Sequence, residues 1–199
     1  MANLLSIKHD KITRELSNGD YDSKFLWKQS KVYVKELTQS KELITLSFDD
    51  SIEEKRYTDE SELHCWHFDH TFGKSVRGVN FLTALIEVGT MRLPCAVEFV
   101  KKDLWKKDPK TGKEKRKSSV SKNELFRKML RECNGKFRFD YVLADSWYSS
   151  NENMNCCKKE LNNDFIMALK SNRKVALSLE NKQNKEYISI ETLQLGQQT

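Results

Sequence analysis

Apolar and polar positions alternate along this chain in short runs, and most runs have the length of a strand. Residues 43–48 (LITLSF) are the first, and Asp49-Asp50 ends the run. Residues 81–88 and 91–100 form a hairpin pattern around Gly89-Thr90, a two-residue loop with glycine first. Residues 141–144 (YVLA) have the length and apolarity of a buried strand. Asp145 follows where that run stops. Residues 165–169 repeat the pattern, and residues 175–179 and 187–190 are shorter strand patterns.

Helical spacing appears in four places. Leu4, Leu5, Ile7, Ile12 and Leu16 lie in an amphipathic stretch that Ser17-Asn18-Gly19-Asp20 breaks. Phe25, Leu26, Val32, Val34 and Leu37 predict a second segment. These basic helices either touch DNA or form a layer packed on the sheet-forming part of the chain. Ser121-Lys122-Asn123-Glu124 is a capping-box pattern. It opens a helix whose apolar face is Leu125, Phe126, Met129, Leu130 and Cys133, stopped at Asn134-Gly135. Ser149 or Ser150 is the expected N-cap of a helix over about residues 151–161.

The resulting order, β-β-β-α-β-α-β, predicts a mixed sheet with helices on its faces. The first three strands are expected to be antiparallel neighbours. Residues 51–62 are polar and predict an exposed loop. Residues 63–72 (LHCWHFDHTF) predict an irregular loop or a strand under the first aspartate. Their His64, Cys65, His67, Asp69 and His70 invite a zinc reading, but the spacing matches no standard finger and no CxxC occurs elsewhere. Residues 101–117 are a charge run with Pro109 and Gly112, which predicts a mobile loop. Its basic residues either meet DNA phosphates or only solvate an insert.

Composition narrows the partners more than the fold. The 199 residues allow one medium domain with a small appendage. With 38% hydrophobic and 32% charged residues, a core is available and much surface is left for solvent or a polyanion. The formal net charge of +6 favours an anionic partner. Five cysteines, an odd number with two adjacent, and no long apolar leader predict reduced thiols in the cytoplasm. The most apolar stretch, residues 80–100, contains Glu87, Arg92, Pro94 and Glu98, which excludes a membrane span there.

The candidate chemistry lies at two strand ends. Asp49 or Asp50 follows the first run and Asp145 the fourth. An acid at the C-terminal end of a strand in an α/β sheet sits where such sheets bind ligands. Paired aspartates there are short, ionised, hard ligands for a divalent cation. In two-metal phosphoryl transfer such carboxylates hold cations about 3.5–4 Å apart. Strand-end aspartates also serve as helix caps and turn residues.

Four motifs carry a family resemblance. FDDSIEEK (residues 48–55), HFDH (67–70) with VRGVNFL (76–82), YVLADSWYSS (141–150) and DFIMALKSNR (164–173) resemble bacterial insertion-sequence transposases of the DDE type. The DSWY and ALKSNR pair is the most distinctive, and the resemblance runs from about Ser6 to about Ser178. It implies an α/β fold with a ribonuclease-H-like mixed β-sheet flanked by helices. Residues 41–199 would form this core, incomplete at the C-terminus, and residues 1–40 a small N-terminal helical segment.

The resemblance also implies Mg²⁺-dependent DNA cleavage and strand transfer, with Mn²⁺ as a substitute. The expected partner is double-stranded DNA at the terminal inverted repeats of the element. Self-association stays open as a further expectation. The family's first acid falls on Asp49 or Asp50, with Asp49 chosen because it directly follows the strand. The second falls on Asp145. Both are implied as catalytic metal ligands. Lys55, Trp147, Tyr148, Lys170, Asn172 and Arg173 are implied as DNA contacts, against the bland alternatives of buried aromatics and plain surface charges.

The family's third acid is a glutamate on a later helix. Glu180, Glu186 and Glu191 follow the ALKSNR segment, but none sits in the expected helical pattern. The sequence therefore reads as a truncated transposase. One alternative is an inactive remnant that retains only DNA binding. Another is a cytosolic α/β protein whose aspartates only cap turns.

Overall fold

Strand β1 spans Ile44–Glu54 and runs well past the apolar stretch that nucleates it. In this computed structural model, residues 21–39, 41–109 and 111–193 are described, together with 11, 14, 15, 18 and 19. The predicted helix carrying Leu4, Leu5, Ile7, Ile12 and Leu16 lies outside the described residues. Residues 51–54 pair with β3 (Lys74–Val88) as strand, where the sequence predicts an exposed loop. Of their side chains only Ile52 is half-buried, so the run does not advertise a strand.

β3 is the spine of the sheet. Along one edge it pairs antiparallel with β1, from Gly78 opposite Glu54 to Val88 opposite Ile44. Its first half pairs on the other edge with β2 (His64–Asp69), and its second half with β4 (Met91–Phe99). The histidine-rich segment is thus a regular strand. The sheet order is β2-β3-β1-β7-β8, with β4 beside β3. The expected antiparallel neighbours β1, β3 and β4 are all found.

β7 (Tyr141–Ala144) and β8 (Asp164–Met167) add parallel strands, so the sheet is mixed. Asp140 fixes the β1–β7 register at its start. Its Oδ2 accepts from Ile44 N at 2.9 Å, and its own N–H donates to Ile44 O at 2.8 Å. That clamp sets Thr45 opposite Tyr141 and Phe48 opposite Ala144.

Helix α1 (Ser23–Leu37) starts at Asp22, whose carboxylate accepts from Phe25 N at 2.8 Å. It buries Ser30 and Val34 against β4. Helix α2 (Lys122–Asn134) has the predicted capping box: Ser121 Oγ accepts from Glu124 N, and Glu124 Oε2 accepts from Ser121 N at 2.7 Å. Its Leu125, Phe126, Met129, Leu130 and Cys133 pack on Leu46, Phe48, Ala84, Ile86 and Val142 of the sheet. Phe126 is fully buried between Phe48 and Tyr148, at ring separations of 4.6 and 5.3 Å. Burying one such ring stabilises by about 1.5–3 kcal/mol.

Between β7 and β8 the chain crosses over through α3 (Asn151–Asn155), which widens into a π turn over Cys156–Glu160. Cys156 and Cys157 enter the same core, so this connection packs on the face that α2 covers. Among the described residues, α1, α2 and the π turn after α3 contribute to the core on that face, in keeping with the expected mixed sheet flanked by helices. The other face presents Thr45, Ser47, Thr83 and Glu87, with Ser47 Oγ donating to Glu87 Oε1 at 2.5 Å.

The charge run is a hairpin. β5 (Leu104–Lys107) pairs with β6 (Glu114–Lys117) around a turn with Gly112 at φ +68°. Arg116 holds it, stacking 4.4 Å from the Trp105 ring and pairing with Glu60 at 3.1 Å. Towards the end, β9 (Lys174–Val175) pairs with β10 (Ile188–Ser189), and α4 (Leu179–Gln183) lies between them. Both strands are shorter than the sequence predicts. Among the described residues no helix is long and apolar enough to cross a membrane.

Candidate active site

The register that Asp140 sets puts Asp49 and Asp145 one step beyond the Phe48–Ala144 pair, on adjacent parallel strands. Both line a cavity of about 690 Å³, with Asp50, Asp69, His70, Lys122, Trp147 and Lys170. Alternation along β1 separates the two neighbouring aspartates. Asp49 lies opposite Thr83 on the open face, whereas Asp50 lies opposite the buried Leu82 on the helix face.

Their partners follow from that parity. Asp50 accepts from Tyr148 Oη at 2.9 Å and forms an ion pair with Lys122. Asp49 Oδ1 accepts from Asp50 N at 2.9 Å, and Asp145 Oδ1 accepts from Trp147 N at 2.9 Å. The other carboxylate oxygen of each has no hydrogen-bond partner among the described residues. Burial raises the Asp49 carboxyl above its ordinary value, and the negative charges of Asp50 and Asp145 raise it further.

An aromatic wall closes one side. Phe68, His70 and Trp147 follow one another at ring separations of 4.9 and 5.4 Å. Trp147 is 42% exposed. The ammonium groups of Lys170 and Lys122 lie 4.9 and 5.6 Å from its ring centre. Asp69 turns the chain between β2 and β3, its Oδ1 accepting from Thr71 N at 2.9 Å.

Of the sequence-predicted residues, Asp49, Asp145, Trp147 and Lys170 meet in this cavity. Tyr148 does not serve as a DNA-stacking ring: it is fully buried, stacked on Phe126 and bonded to Asp50. Lys55 stands away from the cavity beside Glu53, at 3.5 Å. Arg173 is exposed and does not line the cavity; it donates to Ser149 O at 3.2 Å and so steadies the loop after Trp147. Asn172 is exposed and does not line the cavity. Glu180, Glu186 and Glu191 are likewise outside it, Glu186 accepting from Asn181 at 2.7 Å.

Sequence reasoning missed Lys122, Phe68 and the anchoring role of Asp50. The signal for Lys122 was its place directly after the Ser121 cap, since the first turn of α2 meets the end of β1. The zinc reading of the histidine-rich strand has no site. His64 uses both ring nitrogens on backbone carbonyls, of Asp59 at 2.9 Å and Lys55 at 2.7 Å, and His67 is buried against Cys65.

A family model described as DDE superfamily endonuclease matches residues 1–186. The chain belongs to that family. No curated protein matches its sequence. Among solved structures, the Drosophila P element transposase strand transfer complex matches at 13% identity with a TM-score of 0.27, over 67% of this chain and 29% of that one. The chain thus spans less than a third of that transposase chain.

Endonucleases of the DDE superfamily use divalent metal ions. Asp49 and Asp145 fit such an ion in donor chemistry: two hard carboxylates, each with an oxygen to give, crowd negative charge that a cation would relieve. They are two carboxylates, not a set of three. Among the described residues no three His, Cys, Asp or Glu side chains form a metal-ion group.

Proposed function

We propose that this chain is the core of a DDE transposase of insertion-sequence type, with a ribonuclease-H-like fold over residues 41–199 and a helical segment over residues 1–40. It acts on double-stranded DNA at the terminal inverted repeats of its element, in the cytoplasm and with Mg²⁺. The observation that carries the reading is the side-by-side placement of Asp49 and Asp145 in one cavity with lysines around it. Family membership and the DSWY and ALKSNR motifs support it.

The work of each residue follows from its surroundings. Asp49 and Asp145 would hold the cation. When bound, a divalent cation supplies Lewis acidity at a phosphoryl oxygen and makes a water or 3′-hydroxyl a better nucleophile. The Trp147 N–H fixes the rotamer of Asp145, so its second oxygen stays directed away from the turn. Lys170 offsets phosphate charge at the cavity mouth. Asp50, tied to Tyr148 and Lys122, is not a ligand.

Calorimetric titration with Mn²⁺ tests this. Asp49→Asn and Asp145→Asn are each expected to weaken cation binding by about tenfold or more, because each removes one charged ligand. Asp50→Asn is expected to weaken it much less. An isotherm unchanged by both of the first two variants would overturn the reading.

A second reading has its own observation. Among the described residues only two carboxylates meet on the open face, and none of Glu180, Glu186 and Glu191 lines the cavity with them. On that reading the isolated chain binds DNA and cuts no strand, and a third ligand must come from outside the described residues.

A further inference from the structure

Trp147 is an exposed aromatic beside the two aspartates, and base stacking is the obvious use for it. Its surroundings argue otherwise. Two ammonium groups, from α2 and from the segment after β8, lie against this one indole. Cations within about 6 Å of a ring centre are attracted to its face. A base stacking there would have to displace them. Like charges gathered at one ring repel each other, and an anion bound between them would attract both and offset that repulsion.

Lys122 is also unusually well anchored for a lysine. Its ammonium is paired with Asp50, Asp50 with the buried Tyr148, and Tyr148 is stacked on Phe126 in the core. Its side chain is only 24% exposed. Asp50 uses part of a group that has three donors, so hydrogens remain for a second acceptor in the cavity. The helix start itself offers less, since Ser121 and Glu124 already cap it.

We propose that Lys122, together with Lys170, grips the phosphate backbone of DNA bound in the cavity, and that Trp147 is a positioning residue that holds both ammonium groups there. This rests on the reading of the cavity as a DNA site. Lys122 is then a phosphate contact whose direction is set from the core by Asp50 and Tyr148.

The test is binding of a 20-base-pair duplex by fluorescence anisotropy between 50 and 200 mM salt. Each phosphate contact contributes about 0.9 to the slope of log affinity against log salt. Lys122→Gln and Lys170→Gln are each expected to reduce the slope by about one. Lys122→Arg should keep it, and Lys24→Gln, on α1 far from the cavity, should leave it unchanged. Trp147→Ala should reduce the slope without any change of formal charge, and Trp147→Phe should preserve it. Because Lys122→Gln strands the Asp50 carboxylate, the double variant Asp50→Asn/Lys122→Gln, with the net charge of the wild type, must show the same loss. A steep wild-type slope that Lys122→Gln or the double variant leaves intact overturns this inference and spares the DNA reading. A wild type that does not bind, or binds with a flat slope, sinks the DNA reading itself.

Discussion

Tyr148 and Asp50, 98 residues apart in the chain, share a hydrogen bond of 2.9 Å that joins the middle of β1 to the loop after β7. It spans the two strands that carry Asp49 and Asp145. Tyr148→Phe keeps the ring on Phe126 but removes the donor from a half-buried carboxylate. A hydrogen bond to a charged group is worth about 1.5–3 kcal/mol. Urea unfolding should show a loss of about that size, with the m-value unchanged. A loss below about 0.5 kcal/mol would mean that Lys122 alone satisfies Asp50.

Gly78 sits where β3 meets β1 and β2, opposite Glu54 on one side and Cys65 on the other. A Cβ there would fall 2.2 Å from the Glu53 carbonyl oxygen and 2.9 Å from its carbon. Backbone cannot swing aside as a side chain can. Gly78→Ala is expected to destabilise by about 1–3 kcal/mol, the usual range for overpacking. Thermal unfolding measures it, and an unchanged midpoint would show that β1 can shift away from β3.

His67 gives the fold an acid-side limit. Burial holds its pKa down at about 4, against 6.5 for an ordinary histidine, and the charges of Lys102 and Lys122 push in the same direction. His64 adds to this and Asp50 opposes it. The unfolded chain therefore takes up a proton that the folded chain refuses. Stability is full above about pH 6.5 and falls as pH drops towards 4, by about 3 kcal/mol from this group. The difference in unfolding free energy between wild type and His67→Gln, followed from pH 7.5 to 4, should shrink over that window. A constant difference would show that His67 takes up its proton as readily in the folded chain as in the unfolded one.

Strand cleavage is expected to fail in the isolated chain. Two carboxylates hold one cation, whereas in-line displacement with two ions needs further ligands around the scissile phosphate. A supercoiled plasmid carrying the element's ends should stay intact with Mg²⁺ or Mn²⁺. Robust nicking that disappears in Asp145→Ala would contradict this and point to Asp69, Glu180, Glu186 or Glu191 as a third ligand.

Much of the frame was legible because its signals are local. The Ser121–Glu124 capping box, the Gly89-Thr90 turn and the apolar runs of β1, β3, β4 and β7 each specify their element within a few residues. What escaped is set by distant partners. Residues 51–54 look like loop until β3 supplies the hydrogen bonds, and the charge run becomes a hairpin because Arg116 reaches Trp105 and Glu60. Asp145 was readable as a strand end, whereas Asp49 lies in the middle of β1, which runs on to Glu54. The burial of Tyr148 was not, since it depends on Phe126 and Asp50 arriving from other parts of the chain.

The opposite facing of Asp49 and Asp50 makes β1 intolerant of frame slips. With Ile44 locked to Asp140, one extra residue before Asp49 would turn Asp49 inward to Lys122 and Tyr148. Asp50 would then face outward, two residues beyond the position beside Asp145. The doublet is therefore no redundant pair in which either acid replaces the other. Length changes in this strand are tolerable only two residues at a time, and even those move the acid away from its partner by a full repeat of the pleat.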